Sequence, residues 1–205
     1  MWKQFFLISV LCLLAACQGT ADAPTPVALP TATTAAITVQ SDAPIPPAEA
    51  GTPVRLTAPA LNFVAPIATM SWQVTEVEGE RKAVWEVPEA SAGWHRNSAR
   101  PGTAGNMVIS GHHLAGAAIF APLARGEVTV GTQLLVDDDQ GRTLLYEVNE
   151  VAQPIPVAGS AAEQEQAAAY LAPSDQAILT LVTGWPDFSD THYLFVRAAF
   201  IGIVP

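Results

Sequence analysis

The chain has 205 residues, of which 50% are hydrophobic and 14% are charged, with 19 acidic side chains against nine lysines and arginines. This composition supports one domain with a hydrophobic core. The formal net charge of −10 excludes the basic surface that binding to nucleic-acid phosphates requires. The same charge repels anionic lipid, so attachment to a membrane needs another feature.

The first seventeen residues, MWKQFFLISVLCLLAAC, predict export. Lys3 precedes an apolar run that is too short to span a bilayer and is typical of a secretory signal peptide. The last four residues resemble a bacterial lipobox, in which the cysteine is acylated. We therefore predict a lipoprotein signal peptide over residues 1–16 and a lipid anchor on Cys17, at the outer face of the bacterial membrane. The alternative is an ordinary signal peptide, or a poor anchor helix with a chance cysteine.

The next stretch, residues 17–52, is rich in Ala, Pro and Thr and shows no hydrophobic periodicity. This composition predicts an extended, disordered tether. An extra strand or helix packed on the domain is the alternative. The other cysteine, Cys12, lies inside the signal peptide, so the mature domain has neither a free thiol nor a disulfide.

From Pro53 to the C-terminus, short apolar runs alternate with Gly, Pro and Asp. The predicted strands, in chain order, are VRLTAPALNFVAPI, KAVWEVP, NMVISGH, the hairpin GTQLLVDDDQGRTLLYEVNEV, QAILTLVT and HYLFVRAAFIGIV. One helix, AEQEQAAAYL, is predicted to end before Pro173. Many short strands with frequent turns predict a mainly β domain, either a sandwich or a barrel.

Several of these segments, in this order, resemble the sortases, which are surface cysteine transpeptidases built on an eight-stranded β-barrel. The similar segments are LTAPALNFVAPI, WEVPEASAGWHRNSARPGTAGNMVISGHH, FAPLARGEVTVGTQLLV and AILTLVTGW. The resemblance covers residues 53–205 and implies that barrel, with one or two short helices.

The resemblance also implies a catalytic cysteine, histidine and arginine. The histidine position falls on His112, but the cysteine position is Gly184 and the arginine position is Tyr193. Loss of a nucleophile costs about a million-fold in turnover. Arg197 lies four residues further along the strand, roughly 13 Å away, and cannot replace the missing guanidinium. If this placement is right, Gly184→Cys with Tyr193→Arg gives an unusually reactive thiol near His112.

Other side chains around the predicted site are less favoured candidates for a catalytic or binding role. Thr183 and Ser189 are possible replacement nucleophiles, but Thr183 should point away from a site that faces Gly184. Trp94 and Trp185, together with His113 and Thr183, are candidates for lining a substrate groove. The tryptophans can equally cap the end of the barrel.

A metal site is a further alternative, with candidate ligands His95, His112, His113, His192 and Asp187 or Asp190. Neighbours on a strand point to opposite faces, so His112 and His113 share an ion only if the strand has ended there. We therefore predict no metal and no cofactor.

The sequence thus predicts a lipid-anchored sortase-like domain that has lost its chemistry and binds an extended peptide or a cell-surface protein. The alternative is an active peptidase, transpeptidase or hydrolase that uses His112 with a nucleophile other than cysteine. A third possibility is a domain that only fills space at the envelope.

Overall fold

The computed structural model describes residues 37–77 and 79–205. The predicted signal peptide, the lipid anchor at Cys17 and the first part of the predicted tether lie outside the described residues. Within the described ranges, no helix has the length and apolar character needed to cross a membrane.

Eleven strands and two α-helices are described. The strands are β1 (Pro53–Ala58), β2 (Phe63–Met70), β3 (Trp72–Val77), β4 (Glu80–Trp85), β5 (Ala92–His95), β6 (Gly105–Ser110), β7 (Gln133–Asp138), β8 (Thr143–Val151), β9 (Ile155–Pro156), β10 (Ala177–Trp185) and β11 (His192–Val204). The helices are α1 (Ala121–Ala124) and α2 (Ala161–Leu171), and 3-10 turns lie at Pro47–Glu49 and Pro59–Leu61.

Eight of the strands close into a barrel. They are hydrogen-bonded in the order β10-β6-β5-β2-β1-β7-β8-β11, and β11 pairs with β10 to complete the circle. The two-residue strand β9 adds to β11, and β3 and β4 form a separate hairpin. The predicted mainly β fold, an eight-stranded barrel with one or two short helices, is confirmed.

Side chains fill the inside of the barrel, as expected for a barrel of this size. On β7 the buried and half-buried residues alternate strictly, which places Leu134 and Val136 inside. Leu179 and Leu181 of β10 also belong to this core. Phe120, in the segment before α1, contributes its ring to the same core. The strand period of two therefore decides which residues form the core.

Helix α2 packs outside the barrel. The Ser160 hydroxyl accepts a hydrogen bond from the Glu163 amide while the Glu163 carboxylate accepts one from the Ser160 amide, and this capping box starts the helix. At its other end, Tyr170 stacks on Phe195 of β11 with ring centroids 4.7 Å apart. The helix thereby covers the outer face of β10 and β11.

Residues before Pro53 also contact the barrel. Ile45 is 5% exposed and belongs to the main core, and its amide donates to the Gly102 carbonyl at 2.8 Å. Ser41 forms a β-bridge with Ile203. The end of the predicted tether therefore packs on the barrel, because one isoleucine among the prolines and alanines finds an apolar site.

We predict that Ile45→Ala destabilises the protein by about 2–5 kcal/mol, the usual range for removing a buried isoleucine side chain. Urea denaturation with an unchanged m-value measures the loss. Val64→Ala is the control, since Val64 is 59% exposed and its truncation should cost less than about 0.5 kcal/mol. Equal effects of the two substitutions would show that residues before Pro53 contribute nothing to the fold.

Candidate functional site

The ends of β10 and β11 bring two of the predicted site positions together. In the antiparallel register, Gly184 lies directly opposite Tyr193, and Trp185 lies opposite His192. Tyr193 is 39% exposed. The two positions that the resemblance assigns to the missing cysteine and arginine are therefore direct neighbours across the strands.

The ring that faces Gly184 is that of His113. A Cβ added to Gly184 would overlap the His113 Cε1 atom and would lie 2.9 Å from its Nδ1. The next nearest atom, Cβ of Asp190, is 3.3 Å from the same point. The imidazole of His113 thus occupies the space into which any side chain at position 184 would project.

Two backbone carbonyls hold this ring in place. The Nε2 atom of His113 lies 3.0 Å from the carbonyl oxygen of Pro186 and 2.8 Å from that of Ser189. Both oxygens can only accept, so Nε2 carries the proton and donates to them. In the neutral ring Nδ1 is then unprotonated and turned toward Gly184. His113 is 6% exposed and ties the end of β6 to the loop between β10 and β11.

His112 has a different environment from the one predicted. Its Nε2 donates to the carbonyl of Val87 at 3.1 Å, and the side chain is half-buried. The geometry therefore places His113 opposite Gly184, where the family motif pointed to His112. Strand β6 ends at Ser110, two residues before His112, so strict alternation no longer decides which ring faces the site.

The hydroxyl of Thr183 is not available as a nucleophile. It donates to the carbonyl of Gly111 at 2.8 Å, and the residue is 5% exposed. It lies on the same face of β10 as Leu179 and Leu181, opposite to the face of Gly184. Ser189 meets His113 through its backbone carbonyl.

Arg197 is engaged elsewhere. It pairs in register with Thr180, four residues along β10 from Gly184. Its guanidinium lies over the ring of Tyr170, 4.4 Å from the centroid, and donates to the carbonyl of Ala169 at 2.9 Å. Arg197 therefore fixes α2 to the barrel and supplies no charge at Gly184.

The two tryptophans predicted near the site have different roles. Trp94 is 4% exposed and packs in the main core, with its indole nitrogen donating to the carbonyl of Ala99 at 3.1 Å. The prediction that it lines a groove is therefore wrong. Trp185 is half-buried and contacts the ring of His192 edge-on at 5.4 Å, so it remains a candidate for the rim of the site.

The sequence analysis missed a buried hydroxyl–imidazole pair. Nε2 of His95 lies 2.7 Å from Oγ of Ser110, and the ring of Trp85 covers His95 with centroids 4.3 Å apart. Burial lowers the pKa of His95 to about 4, so the imidazole is a weak base near neutral pH. Both residues are less than 9% exposed, which closes the pair to a substrate.

Among the described residues, no group of three or more histidines, cysteines, aspartates or glutamates has the geometry to hold a metal ion. His113 uses its Nε2 for the loop carbonyls and His112 uses its own for Val87. The Nε2 atoms of these two histidines are thus committed to two separate backbone sites.

These features define a closed eight-stranded barrel whose candidate site joins a glycine, a tyrosine and a buried histidine at the ends of two strands. The sortase-domain family model matches residues 56–200. The chain belongs to the sortase family.

Solved structures of sortases have the same fold. The chain is 27% identical to sortase A from Corynebacterium diphtheriae (lid mutant) with a TM-score of 0.54, covering 78% of this chain and 76% of that one. For sortase C-1 from Actinomyces oris the identity is 20% and the TM-score 0.53, with 72% of each chain covered. For a Clostridium perfringens sortase D5 transpeptidase the identity is 19% and the TM-score 0.52, covering 74% of this chain and 79% of that one. None of the curated proteins compared with the chain matches it.

We predict that Gly184→Ala destabilises the protein by about 1–3 kcal/mol, because the new methyl group displaces His113 and leaves the carbonyls of Pro186 and Ser189 without their donor. In a His113→Ala background the same change should be neutral or stabilising, since alanine has less freedom than glycine in the unfolded chain. A double-mutant cycle measured by urea denaturation checks this coupling. Equal costs of Gly184→Ala in both backgrounds would contradict the contact.

We also predict that His95 makes stability depend on pH. Its folded-state pKa is about 4, against 6.5 in the unfolded chain, so between these values the unfolded state binds the proton and the folded state does not. Stability therefore falls as the pH drops from 6.5 to 4, by up to about 3 kcal/mol. His95→Phe keeps an aromatic ring against Trp85 and should flatten this slope. A variant with the wild-type slope would exclude His95 as its source.

Proposed function

We propose that this protein is a sortase-family domain without transpeptidase activity, held at the outer face of the bacterial membrane by lipid on Cys17. It binds an extended peptide or a cell-surface protein at the former catalytic end of the barrel. The observation that carries the proposal is the placement of the His113 ring in the space where a side chain at Gly184 would lie. A site filled in this way has no room for the sulfur that sortase chemistry uses.

The chemistry of the neighbouring residues supports the same conclusion. Tyr193 replaces the arginine that the family resemblance implies, and a phenol carries no positive charge to stabilise an oxyanion. Arg197 is held against α2. The hydroxyl of Thr183 is turned to the carbonyl of Gly111 and buried. The positions of the nucleophile and of the cationic group are therefore both held by residues that can neither attack a carbonyl nor stabilise an oxyanion by charge.

Exposed apolar side chains beside His113 support a binding role. Leu114, the next residue in the chain, is 47% exposed. Phe188 is 80% exposed and lies in the loop between Pro186 and Ser189, whose carbonyls hold the His113 ring. Both side chains are thus positioned by the same imidazole. Exposed apolar groups next to a polar rim are typical of surfaces that contact another protein.

The proposed lack of transpeptidase activity is tested by incubating the full chain with quenched-fluorescent sorting peptides, with hydroxylamine as the acceptor. We predict no cleavage above the buffer rate, and no change with His112→Ala or His113→Ala. Cleavage that either histidine variant abolishes would establish the alternative, an enzyme with a nucleophile other than cysteine.

The test of binding is a screen of extended peptides and surface proteins against the full chain. We predict that Phe188→Ser and Leu114→Ser each weaken the captured interaction about tenfold or more, because each removes a side chain that the partner would bury. Val130→Ser is the matched control, since Val130 is 65% exposed on a different loop. Equal losses for all three variants, or no partner at millimolar concentration, would favour the domain as a space-filling element.

A further inference from the structure

A second surface site lies at the base of the β3–β4 hairpin. Trp72 opens β3 and Trp85 closes β4, and the two are direct partners in the antiparallel register. Direct partners project from the same face of a hairpin with their Cβ atoms about 5 Å apart. They line a concavity of about 290 Å³ whose other walls are Ser71, Arg96 and Asn97. We name these five residues the hairpin site.

The indoles of the hairpin site are presented outward on a fixed base. Trp72 is 55% exposed, although a tryptophan gains most by burial, and Trp94 in the same domain is only 4% exposed. Trp85 is half-buried and is fixed from behind by the ring of His95. The burial that lowers the His95 pKa keeps that ring neutral near pH 7. The indole of Trp72 is thus exposed to a ligand, whereas the indole of Trp85 is held in place by His95.

The polar wall of the hairpin site carries a positive charge, that of Arg96, although the chain as a whole is acidic. Arg96 and Asn97 are exposed and follow directly after β5, where the Arg96 amide donates to the Met70 carbonyl at 3.2 Å. Within residues 37–77 and 79–205, no ion pair engages the Arg96 guanidinium, whereas Arg55 and Arg142 each bind an aspartate. An uncommitted guanidinium beside two indoles complements a ligand that carries a negative charge.

The carboxylate of Glu86 is directed away from this wall. Glu86 follows Trp85, and its carboxylate accepts a hydrogen bond from the side-chain amide of Gln73. Gln73 alternates with Trp72 along β3, so it belongs to the opposite face of the hairpin. The indole face therefore presents a guanidinium, an amide and a hydroxyl, with its acidic neighbour paired on the other side.

We propose that the hairpin site binds a saccharide unit that carries a carboxylate. A sugar ring has an apolar C–H face that packs on an indole and an edge of hydroxyls that Asn97 and Ser71 can bind, while Arg96 pairs with the carboxylate. The volume of about 290 Å³ is at the low end for small-molecule sites, which fits one ring. Recognition of an extended peptide needs a succession of side-chain pockets, whereas these five residues line one concavity. None of the five residues contributes to the contact between Gly184 and His113, so this inference is independent of the proposed function.

The experiment titrates the full chain in detergent with four acidic saccharides: methyl glucuronide, methyl galacturonide, N-acetylneuraminate and N-acetylmuramate. Methyl glucoside is the uncharged control. Binding is followed by tryptophan fluorescence and by saturation-transfer NMR. We expect at least one acidic saccharide to bind with a Kd of about 1 mM, and methyl glucoside to bind at least about tenfold more weakly.

Three variants locate the site. Trp72→Ala should abolish binding, and Arg96→Gln should weaken binding of the acidic saccharide about tenfold or more, until it equals that of the glucoside. Arg81→Gln removes the same charge at the other end of the hairpin, and it should change neither affinity. Loss of binding in Arg81→Gln as well would assign the effect to net charge and overturn the proposal.

Two further outcomes would also overturn it. One is the absence of binding by all four acidic saccharides up to about 20 mM, well above the expected Kd. The other is binding of the acidic proline-rich peptide acetyl-Pro-Pro-Glu-Pro-Pro-amide through Trp72 and Arg96 while the saccharides fail, because aromatic grooves also recognise such peptides.

Discussion

The imidazole of His113 donates from one nitrogen to the carbonyls of Pro186 and Ser189, and its opposite edge lies over Gly184. These contacts join residues more than seventy positions apart in the chain. They connect the segment after β6, the end of β10 and the loop before β11. The position of that loop, and of the exposed Phe188 within it, depends on the ring remaining there.

The glycine is a requirement of this arrangement. A side chain at position 184 and the present position of the His113 ring exclude each other. The His113 ring is not part of the barrel core, which is formed by inward-facing side chains such as Leu56, Val136 and Leu181. The fold and the site are therefore separable. The first is maintained by apolar packing inside the barrel, and the second by a polar clamp at its end.

Most of the fold follows from local signals in the sequence. The β7–β8 hairpin is marked by alternation on both sides of a turn that contains Asp138, Asp139 and Gly141, and α2 by the Ser160–Glu163 capping box and by Pro173 after its end. The order of the family segments then indicates a barrel among the possible β folds. The packing of Ile45 was not predicted, because composition describes a stretch on average, whereas one apolar residue is enough to fix a segment to a core.

The site was predicted less completely, for a physical reason. Gly184 and Tyr193 lie within regular strands, where register and alternation follow from the sequence. His112 and His113 lie beyond the end of β6, where the direction of a ring is set by partners such as Pro186 that are distant in sequence. The hairpin site was missed for the same reason, since Trp72, Trp85 and Arg96 become neighbours only through the pairing of β3 with β4 and the turn after β5.

The occupied space at Gly184 bears on how this lineage can evolve. Glycine and cysteine codons differ by one base, so a thiol at position 184 is a single mutational step away. That step would set the new side chain against the His113 ring, and the first intermediate would be less stable than its parent. A cysteine, histidine and arginine in the arrangement that the family resemblance implies would then need a second change that relocates the histidine, and a third that places an arginine at Tyr193. The position of the His113 ring therefore disfavours any single substitution that adds a side chain at Gly184, whatever that side chain is.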